Sequence, residues 1–150
     1  MVEILIIGVN PPCPRCDLIS QRVEEILSEN NFDEIEVTHL SYDQAEAIAF
    51  AAKKGLKVGT AKHVATEAGL TIDSVAVNSC CNAKKREEGE NTRPAELWTP
   101  ELDQLLAVYE YEAENVGYLM TPVLAVNGQV KHHGSVPCKC KIEGWIKEAQ

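Results

Sequence analysis

Residues 2 to 9 read VEILIIGV, a continuous apolar, branched run of strand length. Such a run suits a strand covered on both faces, the condition of a central strand in a partly parallel sheet. A chain carrying that strand must supply helices for both sides of its sheet. Asn10, Pro11 and Pro12 stop the run, and Leu18, Ile19, Val23, Ile26 and Leu27 then recur on one face of a helix. Pro14 falls at the first helical position, where a missing N–H costs nothing. Cys13 is thereby placed as the helix cap and Cys16 in the first turn. Asn30 and Asn31 end the helix, and Ile35 to Leu40 reads as a second strand. A strand, helix, strand unit of this size implies a right-handed parallel crossover.

The stretch from Ser41 to about Gly117 is mostly helical in pattern. Asp43 to Lys54 is Ala-rich with Gly55 as its left-handed stop, and Thr60 caps a short helix, Ala61 to Ala68, closed by Gly69. Leu70 to Val77 reads equally as a short strand or a helix start, and Cys80 to Arg93 as a polar loop. Thr99 and Pro100 open a helix whose buried stripe is Leu102, Leu105, Leu106 and Tyr109, running to about Asn115. Pro122 to Val126 and Gln129 to His132 flank Asn127-Gly128, the strongest short hairpin signal available. Pro137 is expected to open a final helix with Ile142, Trp145 and Ile146 facing the sheet.

At 150 residues the chain fits one domain, and 45% apolar with 25% charged residues is ordinary for a folded protein. The net charge of −9 argues against wrapping a phosphate backbone, which needs many Lys and Arg contacts. Thr60 to Asn78 echoes a DNA-binding helix-turn-helix only in part, and scaffolding fits it better. No run approaches the roughly 20 apolar residues of a membrane span, and the start is too short and acidic for a signal peptide. A cytoplasmic setting is therefore expected, without nucleic-acid or membrane partners. Six cysteines in a reducing compartment point to catalytic or metal-binding thiols rather than a structural disulfide framework.

A cycling dithiol needs one thiolate that attacks and a nearby thiol that resolves the mixed disulfide. Cys13-Pro14-Arg15-Cys16 at a helix start provides both. The unpaired N–H groups of the first turn stabilise a thiolate on Cys13, and Arg15 adds a cation. Met120-Thr121-Pro122 opens the hairpin, and Gly134-Ser135-Val136-Pro137 precedes the last helix. On these three features the chain resembles the thioredoxin and glutaredoxin superfamily, most closely its small redox-active disulfide proteins. The resemblance covers roughly residues 1 to 40 and 117 to 150, with a helical insertion over about 41 to 116.

The resemblance implies an α/β thioredoxin-like fold, with a four-stranded mixed sheet, helices on both faces and a mostly helical insertion. It implies Cys13 as nucleophile, Cys16 as resolving thiol, and Pro14, Arg15, Thr121 and Pro122 as substrate contacts, with the Thr121-Pro122 bond cis and its loop offering backbone groups to an extended substrate. No cofactor beyond the redox-active disulfide and no metal is implied. The expected partners are a protein disulfide and an upstream reductase or low-molecular-weight thiol. Cys138 and Cys140 are candidate accessory thiols, expected on the dithiol side of the sheet, where they either relay to Cys13 or stand as bystander thiols. Two other readings stand beside this one. A zinc or soft-metal module would need a second cysteine pair, and neither Cys80-Cys81 nor Cys138-Lys139-Cys140 has the usual spacing. A regulatory binding domain would need no thiol chemistry. His132 and His133, on opposite strand faces, read as solvated surface histidines.

Overall fold

The computed structural model describes residues 1–79 and 93–150. Cys80 and Cys81 lie outside the described residues. In chain order the elements are β1 (Val2–Gly8), α1 (Pro14–Glu29), β2 (Ile35–Ser41), α2 (Ala45–Ala52), β3 (Lys57–Gly59), α3 (Ala61–Ala68), α4 (Pro100–Ala113), β4 (Tyr118–Met120), β5 (Val123–Val126), β6 (Gln129–His133) and α5 (Lys139–Ala149). Residues 74–79 are helical, so the ambiguous stretch after Leu70 resolves as a helix start. No helix among the described residues is long and apolar enough to cross a membrane.

The main sheet runs β2-β1-β5-β6, with β1 parallel to β2 and antiparallel to β5, and β5 antiparallel to β6. It is the four-stranded mixed sheet expected, with β1 in the interior. Successive residues of a strand point to opposite faces. Ile4, Ile6, Leu124 and Val126 accordingly meet Ile19, Val23 and Ile26 of α1 and Ile142 and Ile146 of α5 on one face. Ile7 and Val123 meet Ala47 and Ala51 of α2 on the other. Both faces of β1 are covered, which is why its sequence lacks alternation. Each fully buried Ile or Val contributes about 1.5–3 kcal/mol, so these contacts outweigh the helix propensities of the segments involved.

The insertion differs from its expected form by containing strand. β3 and β4 pair in parallel as a separate two-stranded sheet, Gly59 opposite Met120. It also has its own core, in which Val64 and Ala65 of α3 pack with Leu102, Leu106 and Tyr109 of α4 and with Met120. The chain returns from the undescribed segment at Arg93, whose guanidinium forks onto Asp17 of α1 at 2.7 and 3.1 Å and also reaches Glu24. The Ala95 N–H adds a bond to Asp17 at 2.9 Å. These bonds fasten the insertion to the first turns of α1.

Two local expectations need correction. Pro137 does not open α5; the helix begins at Lys139 with Cys138 as its cap, and the Pro137 carbonyl accepts from Arg22 at 2.6 Å. His132 and His133 are not solvated: His132 bonds Ser135 Oγ at 2.7 Å, and His133 Nδ1 accepts the Met120 N–H at 3.3 Å. Ser135 Oγ in turn donates to Glu110 at 3.0 Å.

Candidate active site

β1 delivers the chain to one end of the sheet's central strands, and α1 begins a few residues after it. Cys13 is the N-cap in an extended conformation, Pro14 is the first helical residue, and Cys16 lies in the first turn. The Cys16 N–H points at Cys13 Sγ from 3.4 Å, and the two sulfurs stand 3.2 Å apart as free thiols. Cys13 is partly exposed, whereas Cys16 is buried. The spacing of the motif therefore produces one accessible and one sheltered sulfur.

Their acidities diverge. Cys13 is lowered to about 6, chiefly because the Cys16 S–H donates to it, with help from the Cys16 N–H and the Arg15 charge against the opposing effect of burial. Cys16 is raised by that same bond, by burial and by the negative charge of Cys13. The proton between the sulfurs thus belongs to Cys16. Alkylation of reduced Cys13 by iodoacetamide is expected to be half-maximal near pH 6, against about 8.5 for an ordinary cysteine. A midpoint above pH 8 would contradict the arrangement. The linked stability follows in sign: between about pH 6 and 9 the unfolded chain still holds the Cys13 proton that the folded chain has released, so Cys13 stabilises the reduced fold increasingly with rising pH. That contribution is lost as pH falls through about 6, and above pH 9 retention of the Cys16 proton works in the opposite direction.

Arg15 is not an exposed cation facing the solvent. It is 5% exposed, and its Nε donates to Asp103 Oδ1 at 2.8 Å, while Asp103 Oδ2 accepts the Val136 N–H at 3.1 Å. Asp103 thereby ties the first turn of α1 to the segment before α5. One guanidinium nitrogen, Nη2, is buried without a hydrogen-bond partner among the described residues.

The Thr121-Pro122 peptide bond is cis, as is Asn10-Pro11. Thr121 lines a cavity of about 280 Å³ together with Cys13, Pro14, Arg15 and, from the insertion, Thr60 and Leu106. The hairpin loop is thus brought to the dithiol, and the insertion forms the cavity's other wall. The loop's backbone is largely occupied, however. The Thr121 N–H donates to Gly59 of β3 at 2.9 Å and the Pro122 carbonyl accepts from Gly134 at 3.1 Å. The expected offer of backbone groups to an extended substrate is reduced by both bonds. Gly134 makes its bond at φ +86°, where a side chain would also strike Glu110.

A second cavity, of about 260 Å³, lies behind the buried thiol and is lined by Gly8, Cys16, Ser20 and His39. Ser20 Oγ bonds His39 Nε2 at 3.0 Å and reaches the Cys16 carbonyl at 3.3 Å. Gly8 is required for a different reason: a Cβ there would stand 2.8 Å from Cys16 Sγ. Gly8→Ala should therefore cost about 1–3 kcal/mol through overpacking and displace the buried sulfur. Denaturant unfolding and thiol titration of the variant check this; unchanged values for both would refute it.

Cys138 and Cys140 bond each other, Sγ to Sγ 2.7 Å, and no hydrogen bond joins them to Cys13 or Cys16. The anchors of their segment fall on Arg22, Glu25 and Glu29 of α1. At 1.5 Å per residue these lie about 13–24 Å along the helix from Cys13. Two residues before Cys138, however, the Val136 N–H is held by Asp103, the partner of Arg15 in the first turn of α1.

A dithiol at the start of the helix after a central strand, a cis Thr-Pro loop beside it, and sheet order β2-β1-β5-β6 occur together. The fold is thioredoxin-like. No family model and no curated protein matches the chain. Two solved structures are similar to it. One is described as a thioredoxin-like oxidoreductase from Silicibacter pomeroyi DSS-3, at 15% identity and TM-score 0.39, the match covering 99% of this chain and 86% of that one. The other is a candidate protein-disulfide isomerase from Pseudomonas syringae, at 16% identity and TM-score 0.38, covering 99% and 93%. At such identities nothing about individual site residues carries over from either.

Asp103, Gly8 and the Ser20-His39 pair were missed in the sequence. Asp103 sits in the first turn of α4, where an acidic residue is ordinary, and only the tertiary pairing with Arg15 distinguishes it. Gly8 had a usable signal, since a glycine interrupting an apolar strand marks a close approach.

Proposed function

We propose that the protein is a thiol-disulfide oxidoreductase whose reactive couple is Cys13 and Cys16. The observation that carries the reading is the 3.2 Å pair at the start of α1, one sulfur reachable and acidic, the other buried and holding its proton. In the reaction the Cys13 thiolate attacks one sulfur of a partner disulfide, a mixed disulfide forms, and the other partner sulfur leaves as thiolate. Cys16, on losing its proton to that leaving group, attacks Cys13 Sγ, closes the Cys13-Cys16 bond and releases the second partner thiol. Two electrons pass from the dithiol to the partner, and a reductase or low-molecular-weight thiol restores it.

The cavity walled by Thr121 and the insertion receives the group attached to the attacked sulfur. Pro14 and Arg15 form its side next to Cys13, and Pro122 follows Thr121 through the cis bond. The direct test is a redox titration of the full chain in glutathione buffers, with acid quenching and peptide mapping. A reversible Cys13-Cys16 disulfide and catalysed reduction of a protein disulfide such as insulin are expected. A pair that never bridges, or stoichiometric zinc on the same preparation, would overturn the reading.

A further inference from the structure

Cys138 and Cys140 take no part in the reaction above, yet they form a second pair of neighbouring thiols. Cys138 caps α5 in an extended conformation, φ −64° and ψ 152°, and Cys140 lies in the first turn, both exposed to solvent. Their 2.7 Å separation decides between the two chemistries open to such a pair. A metal about 2.3 Å from two thiolates at a tetrahedral angle holds the sulfurs about 3.8 Å apart, so a chelated ion would have to force these sulfurs away from each other. Nor does any group of three or more His, Cys, Asp or Glu that could hold a metal occur among the described residues. The pair is instead close to the separation from which an S–S bond of about 2.05 Å forms.

The proton is shared unequally here too. Cys138 is lowered by the Cys140 S–H, then by the Lys141 N–H, and Cys140 is raised by the same sulfur contact. The nucleophile and resolving roles are thus divided in the same chain order as in the first pair, but at an open surface. Neither sulfur lines the two cavities described beside Cys13 and Cys16. With both sulfurs exposed and reachable from solvent, small disulfides are the fitting co-reactant. No hydrogen bond joins either sulfur to Cys13 or Cys16, and the segment that carries them is fastened to Arg22, Glu25 and Glu29 of α1.

We propose that Cys138 and Cys140 form a second, solvent-facing dithiol-disulfide couple that exchanges with low-molecular-weight disulfides independently of Cys13 and Cys16. The Cys138 thiolate attacks RS–SR, forming Cys138–S–SR and releasing RS⁻, which takes the proton of Cys140. The Cys140 thiolate then attacks Cys138 Sγ, closing the intramolecular bond and releasing a second RS⁻, protonated from solvent. One disulfide is reduced to two thiols and one dithiol is oxidised, so atoms and electrons balance. Excess RSH reverses the sequence.

The test uses the full chain carrying Cys13→Ser, Cys16→Ser, Cys80→Ser and Cys81→Ser, equilibrated with reduced and oxidised glutathione at graded ratios, then quenched and mapped by mass spectrometry. The expected result is joint loss of both remaining thiols in a single reversible transition, the bond mapping to Cys138-Cys140. Adding Cys138→Ser or Cys140→Ser should leave only a glutathione adduct. Two thiols that stay free at every ratio, or adducts without an internal bond, would overturn the proposal. Peptide mapping of the wild-type chain through the same series guards against a misfolded variant. A Cys138-Cys140 bond that forms in the wild type but disappears in the folded variant would overturn independence and restore the relay through Cys13.

Discussion

Cys13→Ser is expected to bring disulfide reduction down to the uncatalysed rate, while Cys16→Ser is expected to arrest the reaction after its first step. Serine cannot form a bond to sulfur under these conditions, so the first variant removes the attacking atom altogether. It should nonetheless fold, because serine is among the preferred helix caps and can accept the N–H that Cys13 now accepts. In Cys16→Ser the attack survives but no second sulfur stands 3.2 Å away to displace the partner. One equivalent of mixed disulfide on Cys13 should accumulate, visible as an adduct in the intact mass. Cys16→Ala, which unlike serine leaves no donor in place of the S–H, should move the alkylation midpoint of Cys13 upward from about 6. Appreciable turnover by Cys13→Ser, or a Cys16→Ser chain that gives no adduct, would exclude the assigned roles.

The second large effect concerns a residue that never touches a sulfur. Asp103→Ala is expected to destabilise the protein by about 3–5 kcal/mol, the cost of leaving a buried charge without its partner. Arg15 and Asp103 have side chains only 6% and 17% exposed, so solvent replaces little of what is lost. The Val136 N–H loses its acceptor as well. Replacing both charges, Arg15→Met with Asp103→Leu, should recover most of that loss, because the pair's desolvation is then avoided rather than uncompensated. Denaturant midpoints of the single and double variants measure this. A loss below about 1 kcal/mol for Asp103→Ala would mean that the bridge behaves as an exposed one.

What could be read in advance divides along physical lines. The capping of α1 by Cys13, the Thr60 and Gly69 boundaries of α3 and the Asn-Gly hairpin all depend on a few adjacent residues, and those residues announce themselves. The start of α5 was misplaced because Pro137 satisfies a local rule for a first helical residue, while Arg22 claims its carbonyl from across the fold. β3 was missed for a related reason. Lys57-Val58-Gly59 has no strand pattern of its own and is strand because Tyr118–Met120 lies beside it. Within the site, the two sulfurs were legible from their spacing taken together with their place between a buried strand and a helix start. Gly59's hold on Thr121 and Asp103's hold on Arg15 each join positions far apart in sequence, and no periodicity records such a bond.

The pairing of β1 with β5 has a consequence for how the chain is made. Ile4 meets Val126 and Ile7 meets Val123, so the centre of the sheet joins the first few residues to a segment near the far end. Contacts of such sequence separation form late and slow folding. During synthesis the strand leading to Cys13 emerges before its partner and must wait, half its pairing unmade, until the ribosome has produced the insertion and the hairpin. Cys13 and Cys16 therefore spend that interval without Asp103, Thr121 or the covering strand beside them, a newborn dithiol open to whatever oxidant or chaperone meets it.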